Sequence, residues 1–73
     1  KDVAMGLPIL TITGTNDLCV ENYRGMTEYT DQIIRLQSKS GQIKITGKKL
    51  EVIYYTNEEM KIHGQIRTIE YQL

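Results

Sequence analysis

Apolar and polar residues alternate with a period of two along most of the chain. Clear cases are Leu10-Thr11-Ile12 and Ile43-Lys44-Ile45. Because successive side chains of a β-strand point to opposite faces, this period indicates strands with one buried face rather than helices. The residue counts agree, since ten Ile and eight Thr stand against a single Ala, the strongest helix former. We therefore predict an all-β fold.

Short polar or glycine-containing stretches separate the alternating segments, which favours antiparallel hairpins over crossover helices. We expect a single small domain over residues 1–73, with about seven or eight short, mostly antiparallel strands in a roll, a small sandwich or a partly open barrel. The segments expected to form strands are 10–12, 18–20, 34–36, 43–45, 50–54, 60–62 and 69–73.

Several polar stretches have the composition of turns. The segments 14–17 and 56–59 are rich in residues that favour turns. In segment 22–25 we expect Gly25 to supply the left-handed residue of a turn with a bulge. Gly47-Lys48-Lys49 separates two alternating segments so closely that it predicts a tight hairpin.

Segment 30–37 is compatible with two structures. Thr30 could cap a two-turn helix, or Ile34 and Leu36 could be the inward residues of a strand. Isolated helices of this length are marginal, and β-segments flank the stretch on both sides, so we favour the strand.

A weak x-Ile-x-Gly pattern recurs at 11–14, 44–47 and 61–64. It is typical of a series of β-hairpins, and it could also mark stacked units of a solenoid. The unequal spacings of 33 and 17 residues favour hairpins.

The formal net charge of zero excludes a uniformly basic nucleic-acid binder. The charge is nevertheless unevenly distributed, because residues 1–31 sum to −3 and residues 32–73 to +3. This asymmetry predicts head-to-tail self-association into a homo-oligomer.

Few side chains suit catalysis or metal binding. The single cysteine, Cys19, excludes an intramolecular disulfide, and we expect it to be a small apolar filler between Leu18 and Val20. His63 is expected to be a solvated edge residue, and the Glu58-Glu59 pair to be solvated with ordinary acidity. We therefore expect no metal, no cofactor and no enzymatic activity.

The longest apolar run, at residues 3–5, is too short for a transmembrane segment or a signal peptide. The single cysteine and the lack of a disulfide framework fit a cytoplasmic location. Because the chain begins with Lys1 rather than Met, we expect flanking segments in the natural protein.

An alternative function is the binding of single-stranded nucleic acid, since lysines with tyrosines nearby can form a phosphate-binding and stacking surface. Lysines on the solvated face of a strand also protect sheet edges, and this simpler explanation is favoured. The side chains concerned are Lys44, Lys48, Lys49, Lys61, Tyr54 and Tyr55.

Three segments in this order resemble one known family. They are residues 7–14, Glu21-Asn22-Tyr23-Arg24-Gly25, and residues 41–53. Their order and spacing resemble the YabP/YqfC family of sporulation proteins of endospore-forming Firmicutes, nearer to the YqfC branch. The similarity extends over nearly the whole chain.

The resemblance implies expression in the mother cell and a non-enzymatic part in building the spore envelope, at the periphery of the forespore. It implies a protein partner, a YqfD-like membrane-associated sporulation protein, and no catalytic residues. Among the matching positions, Asn22, Tyr23 and Arg24 are expected to form an exposed turn that contacts the partner, although turn geometry alone would also explain Asn22.

Overall fold

A computed structural model of the chain describes residues 5–72. This part contains no helix and forms one antiparallel sheet of six strands in the order β1-β2-β6-β5-β4-β3. The all-β, antiparallel prediction is confirmed. Leu73 and most of the apolar run at 3–5 lie outside the described residues. The strands are β1 Ile9–Thr13, β2 Asp17–Glu21, β3 Tyr23–Tyr29, β4 Ile33–Ser38, β5 Gly41–Tyr55 and β6 Glu59–Gln72.

Two long strands explain why there are six strands rather than seven or eight. Segments 43–45 and 50–54 both belong to β5, and segments 60–62 and 69–72 both belong to β6. The hairpin predicted at Gly47-Lys48-Lys49 is therefore wrong. The chain continues there through a bulge, with Lys49 at a φ of 55°. Strand β3 was not predicted, because its first residues have the composition of a turn.

The sheet folds over itself into a roll. Fully buried side chains occur on β2 and on β4, which are separated in the sheet by β6 and β5. Because residues 5–72 contain no helix that could cover one face, the two halves of the sheet must cover each other. Their inward side chains form one core of Leu18, Val20, Tyr23, Ile34, Leu36, Ile43, Ile45, Leu50, Met60 and Ile62.

Two glycines make the bend possible. A Cβ atom on Gly47 would lie 2.0 Å from the carbonyl oxygen of Gln65. A Cβ on Gly64, whose φ is +148°, would lie 2.6 Å from the carbonyl oxygen of Lys49. Only glycine fits where backbones approach this closely. Both glycines come from the x-Ile-x-Gly pattern, so two of its three occurrences mark the bend within long strands. Only the third, which ends at Gly14, lies at a hairpin turn.

Threonines close two of the turns. The Thr30 hydroxyl accepts the backbone N–H groups of Gln32 at 3.1 Å and Ile33 at 2.9 Å. Thr56 does the same for Glu58 and Glu59, at 3.2 and 3.0 Å. Segment 34–36 is a strand, as favoured. The capping chemistry of Thr30 is real, but it closes a turn before β4 instead of starting a helix.

The two sides of the roll differ. On one side, the Tyr23 ring stacks on Tyr55 with 5.7 Å between centroids, and the Tyr23 hydroxyl donates to the carbonyl of Thr56. The backbone N–H of Val52 donates to the Tyr29 hydroxyl at 3.0 Å. Tyrosines of β3 thus fasten this strand to the second half of β5. On the other side, Ile12 of β1 and Tyr71 of β6 remain exposed.

Replacing Gly47 with alanine tests the bend. We expect Gly47→Ala to lower the free energy of unfolding by about 2 kcal/mol or more, because the new methyl group collides with backbone that must shift. The matched control is Gly25→Ala, since nothing lies within 4 Å of a Cβ placed there, and we expect it to change stability by less than about 0.5 kcal/mol. Urea unfolding measures both. Equal losses in the two variants would contradict the role assigned to Gly47.

Candidate functional site

The register of four strands aligns polar side chains on the outer face of the roll. Thr11 of β1 lies opposite Cys19 of β2, Cys19 opposite Lys61 of β6, and Lys61 opposite Tyr54 of β5. Because alternate residues of a strand share a face, the next row of the same surface lies two residues along β1, β2 and β6, and three along β5, where the register shifts. That row consists of Thr13, Asp17, His63 and Glu51.

The carboxylate of Glu59, the first residue of β6, joins Tyr54 and Cys19. It accepts the Tyr54 hydroxyl at 2.7 Å and the Cys19 thiol at 3.3 Å. These hydrogen bonds lower the pKa of Glu59, because they stabilise its charged form. The same carboxylate raises the pKa of Tyr54 to about 12. Burial, with a contribution from Glu59, raises the pKa of Cys19.

This cluster corrects two expectations. Cys19 is a half-buried hydrogen-bond donor on the outer face, not an apolar filler. The pKa of Glu59 is lowered by its hydrogen-bond partners, so Glu59 is not an ordinary solvated carboxylate. The contact between Cys19 and Glu59 could not be predicted from the sequence, because the two residues are 40 positions apart and meet only through the pairing of β2 with β6.

His63 lies on the same face, and its predicted exposure is confirmed. Its partner was not predicted. The Nδ1 atom lies 2.9 Å from an Asp17 carboxylate oxygen, and this contact lowers the pKa of Asp17, with a smaller contribution from the charge of Lys61.

These rows border a shallow concavity of about 220 Å³. Its walls offer hydroxyl groups, one ammonium and one carboxylate, and Lys61 forms no salt bridge within residues 5–72. Because its pKa is raised, the Cys19 thiol stays protonated and is a poor nucleophile. The surface is therefore suited to hydrogen bonding with a polar partner. The lining residues are Thr11, Thr13, Asp17, Leu18, Cys19, Tyr54 and Lys61.

No cluster of three or more His, Cys, Asp or Glu side chains able to hold a metal ion occurs in the described part of the chain. Within the same residues, no helix is long and apolar enough to cross a membrane.

The structure places the three residues predicted to contact a partner in different environments. Tyr23 is only 7% exposed, so its placement in an exposed turn is wrong. The left-handed residue is Asn22, with a φ of 65°, and not Gly25. Asn22 donates its backbone N–H to Glu58 and its side-chain amide to Leu7, both to carbonyl oxygens at 3.1 Å. Arg24 is exposed. Partner contact stays a prediction for Asn22 and Arg24.

The lysines and tyrosines of the nucleic-acid alternative do not form one surface. Tyr54 pairs with Lys61 on the outer face, whereas Tyr55 stacks on the buried Tyr23. Lys48 and Lys49 lie at the bend of β5, in the irregular stretch of its register. A stacking platform flanked by lysines is therefore absent at these positions.

The protein is therefore a small antiparallel β-roll with one polar, concave outer face. The sequence profile of the YabP family matches residues 7–73, and the chain belongs to this family. It is similar to the uncharacterized protein YqfC of Bacillus subtilis (strain 168), with 34% identity over 70 residues, which are 96% of this chain and 75% of that protein. The resemblance noted in the sequence is thereby confirmed. No solved structure is significantly similar to the chain.

The contact between Tyr54 and Glu59 predicts a specific alkaline titration. Since the pKa of Tyr54 is about 12 in the folded protein and near 10 otherwise, its stabilising contribution is complete below pH 10 and is lost as the pH rises through about 12. We expect Glu59→Gln to move the Tyr54 pKa down toward 10, measured by NMR of the tyrosine rings.

The matched control is Glu58→Gln, which removes the same charge from the neighbouring residue of the turn. We expect it to leave the Tyr54 titration in place. A Tyr54 pKa unchanged by Glu59→Gln would show that the hydrogen bond is not its cause.

Proposed function

We propose that this protein is a non-enzymatic assembly or adaptor module of sporulation, acting in the mother cell as the spore envelope forms. Its membership of the YabP family supports the connection with sporulation. The observation that carries the adaptor role is the polar concavity, a set of hydrogen-bonding groups fixed on a rigid sheet and open to solvent. Such a surface favours recognition of a protein over enclosure of a small ligand.

The groups of the concavity indicate the chemistry of the partner. The Lys61 ammonium is available for an acidic side chain, since no carboxylate of residues 5–72 forms a salt bridge with it. The Thr11 and Thr13 hydroxyls lie on exposed residues of an edge strand. Together they suit a polar peptide segment that carries a carboxylate.

One of the predicted contact residues, Asn22, is linked to the turn beside this surface. The Asn22 backbone N–H is hydrogen-bonded to Glu58, and Glu58 directly precedes the Glu59 that anchors Tyr54 and Cys19. A partner that extends from the concavity past this turn would meet Asn22, and Arg24 follows two residues along the chain. The resemblance implies a YqfD-like membrane-associated sporulation protein as the partner.

Deletion of the gene in its host tests the connection with sporulation. We expect fewer heat-resistant spores and a visible envelope defect, with vegetative growth unchanged, and expression of the intact gene from a mother-cell promoter should restore the count. Wild-type numbers of heat-resistant spores with an intact envelope would refute the proposed role.

Charge reversal tests the concavity itself. We expect Lys61→Glu to reduce capture of the partner from sporulating cells by at least about tenfold, because it replaces attraction of a carboxylate by repulsion. Lys48→Glu is the matched control, since it makes the same change at the exposed bend of β5. If Lys61→Glu and Lys48→Glu capture the partner equally well, the contact lies outside the concavity.

A further inference from the structure

The sheet has two edge strands, and only one of them is protected against pairing. Strand β3 carries Arg24 and Glu28, and its pairing with β4 is interrupted by two register shifts. Charges and bulges are the devices by which edge strands avoid adding further strands. Strand β1 has neither, because Ile9–Thr13 contains no charged residue and pairs with β2 in unbroken register.

The inner face of β1 is also incompletely covered. Ile12 lies opposite the fully buried Leu18, on the face that forms the core, yet it is 54% exposed. Leu10, on the same face, packs against the core. A further strand beside β1 would cover Ile12 and extend the core.

We propose that β1 pairs antiparallel with β1 of a second copy of this chain, about a two-fold axis at Thr11. In this register Leu10 of each copy faces Ile12 of the other on the inner face. Thr11 faces its own counterpart on the outer face, and Ile9 faces Thr13. All five residues of the strand are paired, and every pair matches side chains that favour cross-strand contact.

The strand's own sequence favours a second copy as the occupant. Because β1 carries no charge, two copies meet without repulsion, and the apolar and threonine positions are self-complementary about Thr11. The contact is isologous, and it occupies the free edge of β1 in both copies. Only the protected β3 edges remain, so assembly stops at a dimer with a continuous sheet of twelve strands.

Head-to-tail association through opposite charges stays a prediction, but the sheet does not divide into one acidic half and one basic half. The strands of the acidic segment 1–31 are β1, β2 and β3, and they occupy both outer sides of the sheet. The strands of the basic segment lie between them. Strand β1 has no charged residue and β3 carries one charge of each sign, so the net negative charge of these three strands lies on β2.

Dimerisation would place two concavities beside one axis. Thr11 and Thr13 line the concavity and belong to the pairing strand. With strands about 4.8 Å apart, the Cys19 residues of the two copies would be about 14 Å apart across the outer face. A partner with two recognition segments could then be bound twice by one dimer. The dimer itself does not depend on the proposed function, since it is measured with the purified protein alone.

Sedimentation equilibrium of the purified chain tests the dimer. We expect a concentration-dependent dimer whose dissociation constant rises at least about tenfold with Ile12→Lys, because an ammonium would enter the new interface. Ile53→Lys is the matched control, since Ile53 is 51% exposed on β5, away from β1, and it should leave the dissociation constant unchanged. Circular dichroism verifies that both variants are folded.

Cross-linking tests the register. In a Cys19→Ser background, needed because Cys19 lies opposite Thr11 in the same chain, Thr11→Cys should form a disulfide-linked dimer on oxidation. Directly paired Cα atoms are about 4.5–5.5 Å apart, within reach of a disulfide. Thr13→Cys should not cross-link, since the two copies of that residue would be more than about 13 Å apart.

A monomer at every concentration would overturn the proposal and leave the β1 edge for a strand of a different protein. A dimer that Ile53→Lys weakens as much as Ile12→Lys would place the interface elsewhere. Cross-linking through Thr13→Cys but not Thr11→Cys would overturn the register.

Discussion

The close approach of β5 and β6 at Gly47 and Gly64 is the constraint on which the roll depends. At both positions a backbone carbonyl oxygen occupies the space that a Cβ would need, at 2.0 Å for Gly47 and 2.6 Å for Gly64. These glycines let two strands of 15 and 14 residues bend together, with bulges that shift their register at the bend and pairing that resumes beyond them. The bend brings the apolar faces of both halves together, so a chain of 73 residues buries a core with one sheet.

A sheet folded in this way still has two edge strands, β1 and β3, and they differ in the contacts that hold them. Tyr23 and Tyr29 fasten β3 to the second half of β5 through ring stacking and hydrogen bonds to the backbone. No comparable contact covers Ile12 on β1 among the described residues, and its side chain stays half exposed. Strand β3 is charged and held by tyrosine contacts, whereas β1 is uncharged and partly uncovered. For this reason we place the further strand beside β1.

The outer face shows how strand pairing converts ordinary surface residues into a defined site. Cys19, Tyr54 and Glu59 lie on the outer faces of three different strands. Strand pairing brings the Cys19 thiol and the Tyr54 hydroxyl within 3.3 Å of the Glu59 carboxylate. The resulting pKa changes keep the thiol and the phenol protonated and the carboxylate charged. Such a surface presents fixed donors and acceptors to a partner, which is what the proposed adaptor role requires.

The sequence by itself determined most of the strand segments, though not β3, and inward side chains such as Ile34 and Leu36, because alternation follows from the geometry of a single extended chain. It also located the turns at 14–17 and 56–59 from local turn chemistry. Only the tertiary structure decided that Gly47 and Gly64 bend strands instead of ending them, since that depends on a neighbouring backbone. The contact of Cys19 with Glu59 was likewise decided by strand register, which couples residues 40 positions apart and leaves no local signal.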